Sequence, residues 1–126
     1  MAESIIKQKS YNFALQIIEL CIQLRNAKHF EMSSQLLRSG TSIGANVEEA
    51  LAGRSRKDFF AKMSIASKEA RETNYWLRLI KDAAIVNEQE SQNLVEASEE
   101  LIKILTSIVK ACNDNYKDGK KLKTQN

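Results

Sequence analysis

Residues 56–84 read RKDFFAKMSIASKEARETNYWLRLIKDAA. Phe59, Met63, Ala66, Ala70, Thr73, Leu77, Ile80 and Ala84 recur in this stretch at alternating intervals of four and three, the spacing that lines one face of an α-helix. Such an unbroken run excludes the period of a strand. The chain has no proline to interrupt a helix. Its four glycines, Gly40, Gly44, Gly53 and Gly119, offer little of the turn chemistry that a sheet needs. The segment therefore predicts an all-α chain.

The flanking segments repeat the pattern. Asn87 followed by Glu90 reads as a helix N-cap, and Leu94, Ser98, Leu101, Leu105, Ile108 and Cys112 carry a stripe to about Asn115. On the other side, Gly53 stands at a helix C-cap position, and Ser55 with Asp58 reads as the next N-cap, so the connection is short and its two helices form an antiparallel hairpin. The helix before it carries Leu37, Gly40, Gly44, Val47 and Leu51 on one stripe. Glycines cost a helix about 1 kcal/mol each against alanine, so the Gly40/Gly44 pair predicts a second backbone close by. Beside it runs a polar seam of Gln35, Ser39, Ser42, Asn46, Glu49 and Gly53. The first helix presents Ile6, Ser10, Phe13, Ile17, Leu20 and Leu24. Segments of about 4–27, 31–52, 56–84 and 88–115 thus predict an antiparallel up-down-up-down four-helix bundle occupying residues 1–116. The remaining residues 117–126, KDGKKLKTQN, are too polar to order by themselves and are expected to be a flexible basic tail.

The first helix has a second apolar stripe, Tyr11, Leu15, Ile18 and Ile22, turned by roughly 140° from the first. Left in water, it would be an apolar patch of the kind that marks protein contacts. It predicts a homo-oligomer with this stripe at the subunit boundary. The alternative is that another helix of the same chain covers it.

At 126 residues and 43% hydrophobic content, the chain is the size of one domain. No stretch approaches the roughly 18 apolar residues of a membrane span or the pattern of a signal peptide, so a cytoplasmic protein without a membrane partner is expected. Cys21 and Cys112 sit far apart at apolar helical positions and read as reduced core thiols rather than a disulfide or zinc pair. His29 is the only histidine. No ExxH pair for a di-iron site, no catalytic triad and no glycine-rich phosphate loop is present. Metal, cofactor and catalytic residues are all expected to be absent.

Charge is segregated along the chain. Arg54, Arg56, Lys57, Lys62, Lys68 and Arg71 outnumber the acids between residues 54 and 72, and four lysines follow Tyr116, whereas the segment between is acidic. The overall charge of +3 permits polyanion binding without demanding it. Glu49 lies in the polar seam, and Glu72 shares a helix face with Ile65, Trp76 and Leu79. Each needs a partner if buried, with Arg38, Arg54 and Arg71 the candidates. A structural Glu–Arg network is the plainer reading. Acid–base work and ligand contact are the alternatives.

The stretch QLLRSGTSIGANVEEA, residues 35–50, resembles the second-helix motif of the 23S rRNA intervening-sequence protein family, through Gln35, Leu36, Arg38, Ser39, Ser42, Ile43, Asn46 and Glu49. Arg54, Ser55, Lys57, Asp58 and Phe59 continue the likeness, as do Ala66, Glu72 and Leu77. Ala50 departs from it where glycine is common, and Lys68 and Glu69 where small residues are usual. The resemblance implies a non-enzymatic up-down bundle, often a homopentamer. It is similar also to the accessory variability determinant protein of diversity-generating retroelements, which binds nucleic acid and a reverse transcriptase.

Two functions follow as expectations. One is an oligomeric nucleic-acid-binding accessory factor that uses Arg54, Arg56, Lys57, Lys62, Lys117, Lys120 and Lys121 on RNA or DNA. The other is an assembly module that holds copies of itself or another protein partner, without nucleic-acid affinity.

Overall fold

In the computed structural model, which describes residues 2–124 and side chains through Asn115, the chain forms four helices: α1 (Ala2–Asn26), α2 (Phe30–Ala52), α3 (Arg56–Asp82) and α4 (Glu88–Thr124). Each packs antiparallel on the next, and α1 meets α4 to close the ring. This is the expected up-down-up-down bundle. The interior stripes of α1, α3 and α4 contribute Ile6, Ile17, Leu20, Leu24, Met63, Leu77, Ile80, Leu101 and Leu105 to one continuous core.

The inner face of α2 differs from expectation. Gly40, Gly44 and Val47 of the expected stripe are buried and Leu51 is half-buried, but Leu37 is 40% exposed, and Leu36, Ile43 and Ala50 join Val47 in the core. The cause is that α2 packs between two neighbours. The small residues of its two expected stripes turn toward α1 and α3, and the large apolar side chains lie between those directions.

Close approach is plainest at Gly40, where an added Cβ would stand 2.8 Å from Ile17 Cγ2 and 3.0 Å from Ile17 Cγ1. At Gly44 the same atom would reach the Ser10 carbonyl at 3.4 Å, an ordinary contact. Each sequential seam also holds a buried hydroxyl. Ser33 donates to the Cys21 carbonyl at 3.0 Å, and the Cys21 thiol contacts the Ser33 carbonyl at 3.4 Å. Thr73 and Ser39 hydroxyls meet at 3.0 Å across α2–α3. Asn74 donates to Ser98 at 2.9 Å across α3–α4. No described buried side-chain polar atom lacks a partner, which avoids a penalty of about 1–3 kcal/mol for each.

The caps explain the boundaries. Ser55 accepts the Asp58 N–H at 3.0 Å, and Asn87 accepts that of Glu90 at 3.0 Å, both as expected from sequence. Gly53 is the C-cap of α2, but its φ of −67° is open to any residue. An added Cβ would meet only the movable end of the Asp58 side chain and, at 3.2 Å, the Ala50 carbonyl. The left-handed positions belong instead to Lys28 (φ 69°) and Ala84 (φ 54°). At each, paired backbone bonds close the helix end: His29 N–H to Leu24 O with Lys28 N–H to Arg25 O, and Ile85 N–H to Ile80 O with Ala84 N–H to Lys81 O. Consequently α3 stops at Asp82 rather than Ala84. The backbone of α4 is helical to Thr124, well past the expected end near Asn115. The segment expected as a free basic tail, 117–126, is thus helical in backbone to Thr124, and the side chains from residue 116 on lie outside the described part.

The two glycines should respond differently to alanine. Gly44→Ala is expected to stabilise by up to about 1 kcal/mol through helix propensity. Gly40→Ala is expected to destabilise by about 1 kcal/mol or more, because Ile17 cannot yield. Urea denaturation of both variants checks this, and equal midpoints would contradict a close α1–α2 approach at Gly40.

Candidate functional site

The antiparallel order places the α2–α3 connection at the same end of the bundle as the start of α1 and the C-terminal part of α4. Arg54, Arg56 and Lys57 are exposed there. None of the three forms an ion pair with a described residue, while Lys62 pairs with Glu49 at 3.2 Å. Lys117, Lys120 and Lys121 lie on the backbone continuation of α4 at this end, and their side chains are outside the described residues. Two basic segments far apart in sequence thus share one end of the fold.

The polar seam is divided by burial. Ser39 is fully buried and reaches Thr73, whereas Ser42 and Asn46 are half-buried and bond to each other, with Asn46 Nδ2 donating to Ser42 Oγ at 3.1 Å and to its carbonyl at 2.8 Å. Gln35 and Glu49 are exposed, so Glu49 faces water rather than apolar neighbours. Glu72 finds Arg38, one of its expected partners, and also accepts the Trp76 Nε1–H at 3.2 Å. Arg38 reaches Glu69 as well, at 3.3 Å. Glu69 was not legible as part of this network, although its place three residues before Glu72 puts both carboxylates on the α2 side of α3. Desolvation works against the Arg38 charge, but the charges and hydrogen bonds of Glu69 and Glu72 together outweigh it and raise its pKa above the ordinary value. Because Arg38 and Glu72 remain partly in water, the cluster fixes the register of α2 on α3 more than it adds stability.

Tyr11, Leu15, Ile18 and Ile22 are each between 40% and 56% exposed, so no helix among the described residues covers the second stripe of α1. Leu37 adjoins this face, standing between Ser33 and Gly40, both of which meet α1. Phe30 is exposed beside it, with the Arg25 guanidinium 5.6 Å from its ring centroid. Opposite, between α1 and α4, a groove of about 180 Å³ is floored by Phe13 and Leu101 and bridged by Lys9 and Glu100 at 2.7 Å.

His29 is an exposed residue of the α1–α2 connection. No group of three or more His, Cys, Asp or Glu able to hold a metal occurs among the described residues, and no helix there is long and apolar enough to cross a membrane. The thiols are free. Burial pushes the Cys21 pKa up, partly offset by its hydrogen bond with Ser33; burial and then Glu3 push Cys112 up. The unfolded chain therefore releases these protons first as pH rises past about 8.5, and stability conferred by the protonated thiols is lost toward alkaline pH. Urea midpoints measured from neutral to strongly alkaline pH should fall more steeply for the parent than for Cys21→Ala. Equal slopes would show that Cys21 does not titrate differently on folding.

A search of curated protein sequences found no match. Among solved structures, a protein of unknown function from the S23 ribosomal protein family of Bacteroides thetaiotaomicron is 44% identical, with a TM-score of 0.82 over 87% of this chain and 99% of that one. The family model described as 23S rRNA-intervening sequence protein matches residues 2–107, which take in all of α1 to α3 and most of α4, with the buried seams and the basic connection. By that match, and by a fold it shares with its Bacteroides counterpart, the chain belongs to the 23S rRNA-intervening sequence protein family.

Proposed function

We propose that this chain is a non-enzymatic, self-associating helical bundle that acts as a nucleic-acid-binding accessory factor. The observation that carries this reading is the exposed trio Arg54, Arg56 and Lys57 at the start of α3. A helix N-terminus already bears a partial positive charge, so cations there cost a few tenths of a kcal/mol each, and Asp58 alone opposes them in the first turn. Three exposed cations gathered at a helix start against a single acid support a role in binding. Phosphates would be drawn to this end both by the side chains and by the helix dipole, and Lys62 and the lysines of the α4 continuation extend the same field. Assembly would multiply the +3 of a single chain; five copies is the number that the family resemblance implies.

A second reading, an assembly module that holds its own copies or another protein without touching nucleic acid, is supported by the exposed face of α1. Tyr11, Leu15, Ile18 and Ile22 with Leu37 form a patch suited to a protein contact. Neither reading includes a catalytic step.

Replacing Arg54, Arg56 and Lys57 together by Gln is expected to abolish retention of a mixed RNA and DNA pool at about 50 mM salt while leaving oligomer size unchanged. A parent protein that retains none of the pool would leave the assembly module standing alone. Leu15→Glu or Ile18→Glu should yield a monomer by light scattering coupled to size exclusion, and an unchanged oligomer would remove the α1 face from the interface.

A further inference from the structure

Ser64, Lys68, Arg71, Tyr75, Arg78 and Asp82 follow one another along α3 at steps of four and three, and so share one stripe of the helix. At its centre Tyr75 is 48% exposed. The Arg78 guanidinium lies 5.8 Å from the Tyr75 ring centroid, and Trp76 meets the ring edge-on at 5.3 Å. Arg71 donates to Thr106 Oγ1 at 3.0 Å, and Arg78 Nε donates to Asn74 Oδ1 at 2.9 Å. Both partners are neutral. No ion pair among the described residues involves Lys68, Arg71 or Arg78. Of the acids on α3 nearest these cations, Glu69 and Glu72 are engaged with Arg38 of α2, and Asp82 closes the stripe one turn beyond Arg78 without an ion pair to it among the described residues.

An ordinary solvated face would set acids between the cations. Here hydrogen bonds orient two guanidinium groups without cancelling their charge, Arg71 one turn before a half-exposed aromatic ring and Arg78 over one face of it. From Lys68 to Arg78 the stripe runs about 15 Å, long enough to follow a short length of backbone.

We infer that this stripe is a subsite for single-stranded nucleic acid, with Tyr75 stacking on an unpaired base and Lys68, Arg71 and Arg78 contacting the flanking phosphates. The inference rests on the nucleic-acid reading above and adds a strand preference to it. Base faces inside a duplex are already stacked, so only an unpaired nucleotide can cover Tyr75. The neutral hydrogen bonds hold the arginines in place beforehand and lower the ordering cost of binding.

The test is fluorescence anisotropy of the full chain with a labelled mixed-sequence RNA of about 15 nucleotides, single-stranded or annealed to its complement, at about 50 mM salt. The parent should favour the single strand. Tyr75→Ala should weaken single-strand binding roughly tenfold and Tyr75→Phe should retain it. The double variant Arg71→Gln/Arg78→Gln should lower the salt slope by about 1.4. Circular dichroism confirms that these surface variants fold. If Tyr75→Ala binds like the parent while the Arg54/Arg56/Lys57 variant loses binding, the subsite is overturned and the basic end stands. If the parent binds neither RNA form, the subsite falls together with the reading it rests on. A Tyr75→Ala protein with altered oligomer size and unchanged RNA affinity would make this face a protein contact and overturn the inference.

Discussion

The approach of α1 to α2 at Gly40, with Ile17 filling the space where a side chain would project, sets the geometry on which the rest of the bundle depends. Once those backbones are close, only small residues fit along the seam, and Ser10, Ser33 and Gly44 occupy it. Small hydroxyl residues bring polar atoms into the interior. There the Cys21–Ser33, Ser39–Thr73 and Asn74–Ser98 pairs each satisfy one another or a nearby carbonyl across a different seam. A one-turn slip between helices would keep much of the apolar burial but would break these pairs, so they specify register where the leucines and isoleucines specify only inside from outside.

Much of this was legible because the heptad-like run from Phe59 to Ile80 and the caps at Ser55 and Asn87 are local signals, and local signals survive folding. The α2 core was misjudged at Leu37 because a helix gripped on two sides has no single stripe; its large residues fill the angle between two small-residue seams. The ends of α1 and α3 carry no glycine, so the left-handed Lys28 and Ala84 could not be read from composition. At the candidate sites, the residue types and the Arg38–Glu72 pair were readable, whereas the second carboxylate on Arg38 was not. That Arg54 and the distant C-terminal lysines share an end follows from the antiparallel order, and that Glu69 joins Glu72 on Arg38 follows from the rotation of α3 about its axis.

α1 is the helix with two masters. Its inner face belongs to the core, while Tyr11, Leu15, Ile18 and Ile22 on its outer face are exposed, so a substitution on the inner face acts on folding and one on the outer face leaves the core packing alone. The two faces are separable because the stripes lie well apart around the helix.

The α1–α4 seam differs from the other three. It is joined at its surface by Lys9–Glu100 and Gln23–Glu90, over a groove floored by Phe13 and Leu101. The other seams connect helices adjacent in sequence, so each can zip up as soon as its second helix has left the ribosome. This one alone must wait for both extremes of the chain. Of the four seams it is therefore the one with the largest loop to close, and the one whose formation adds most to the contact order of the fold. Its polar links are long surface side chains rather than a buried hydroxyl pair, so this seam tolerates small shifts in alignment that the other three, each pinned by an interior hydrogen bond, do not.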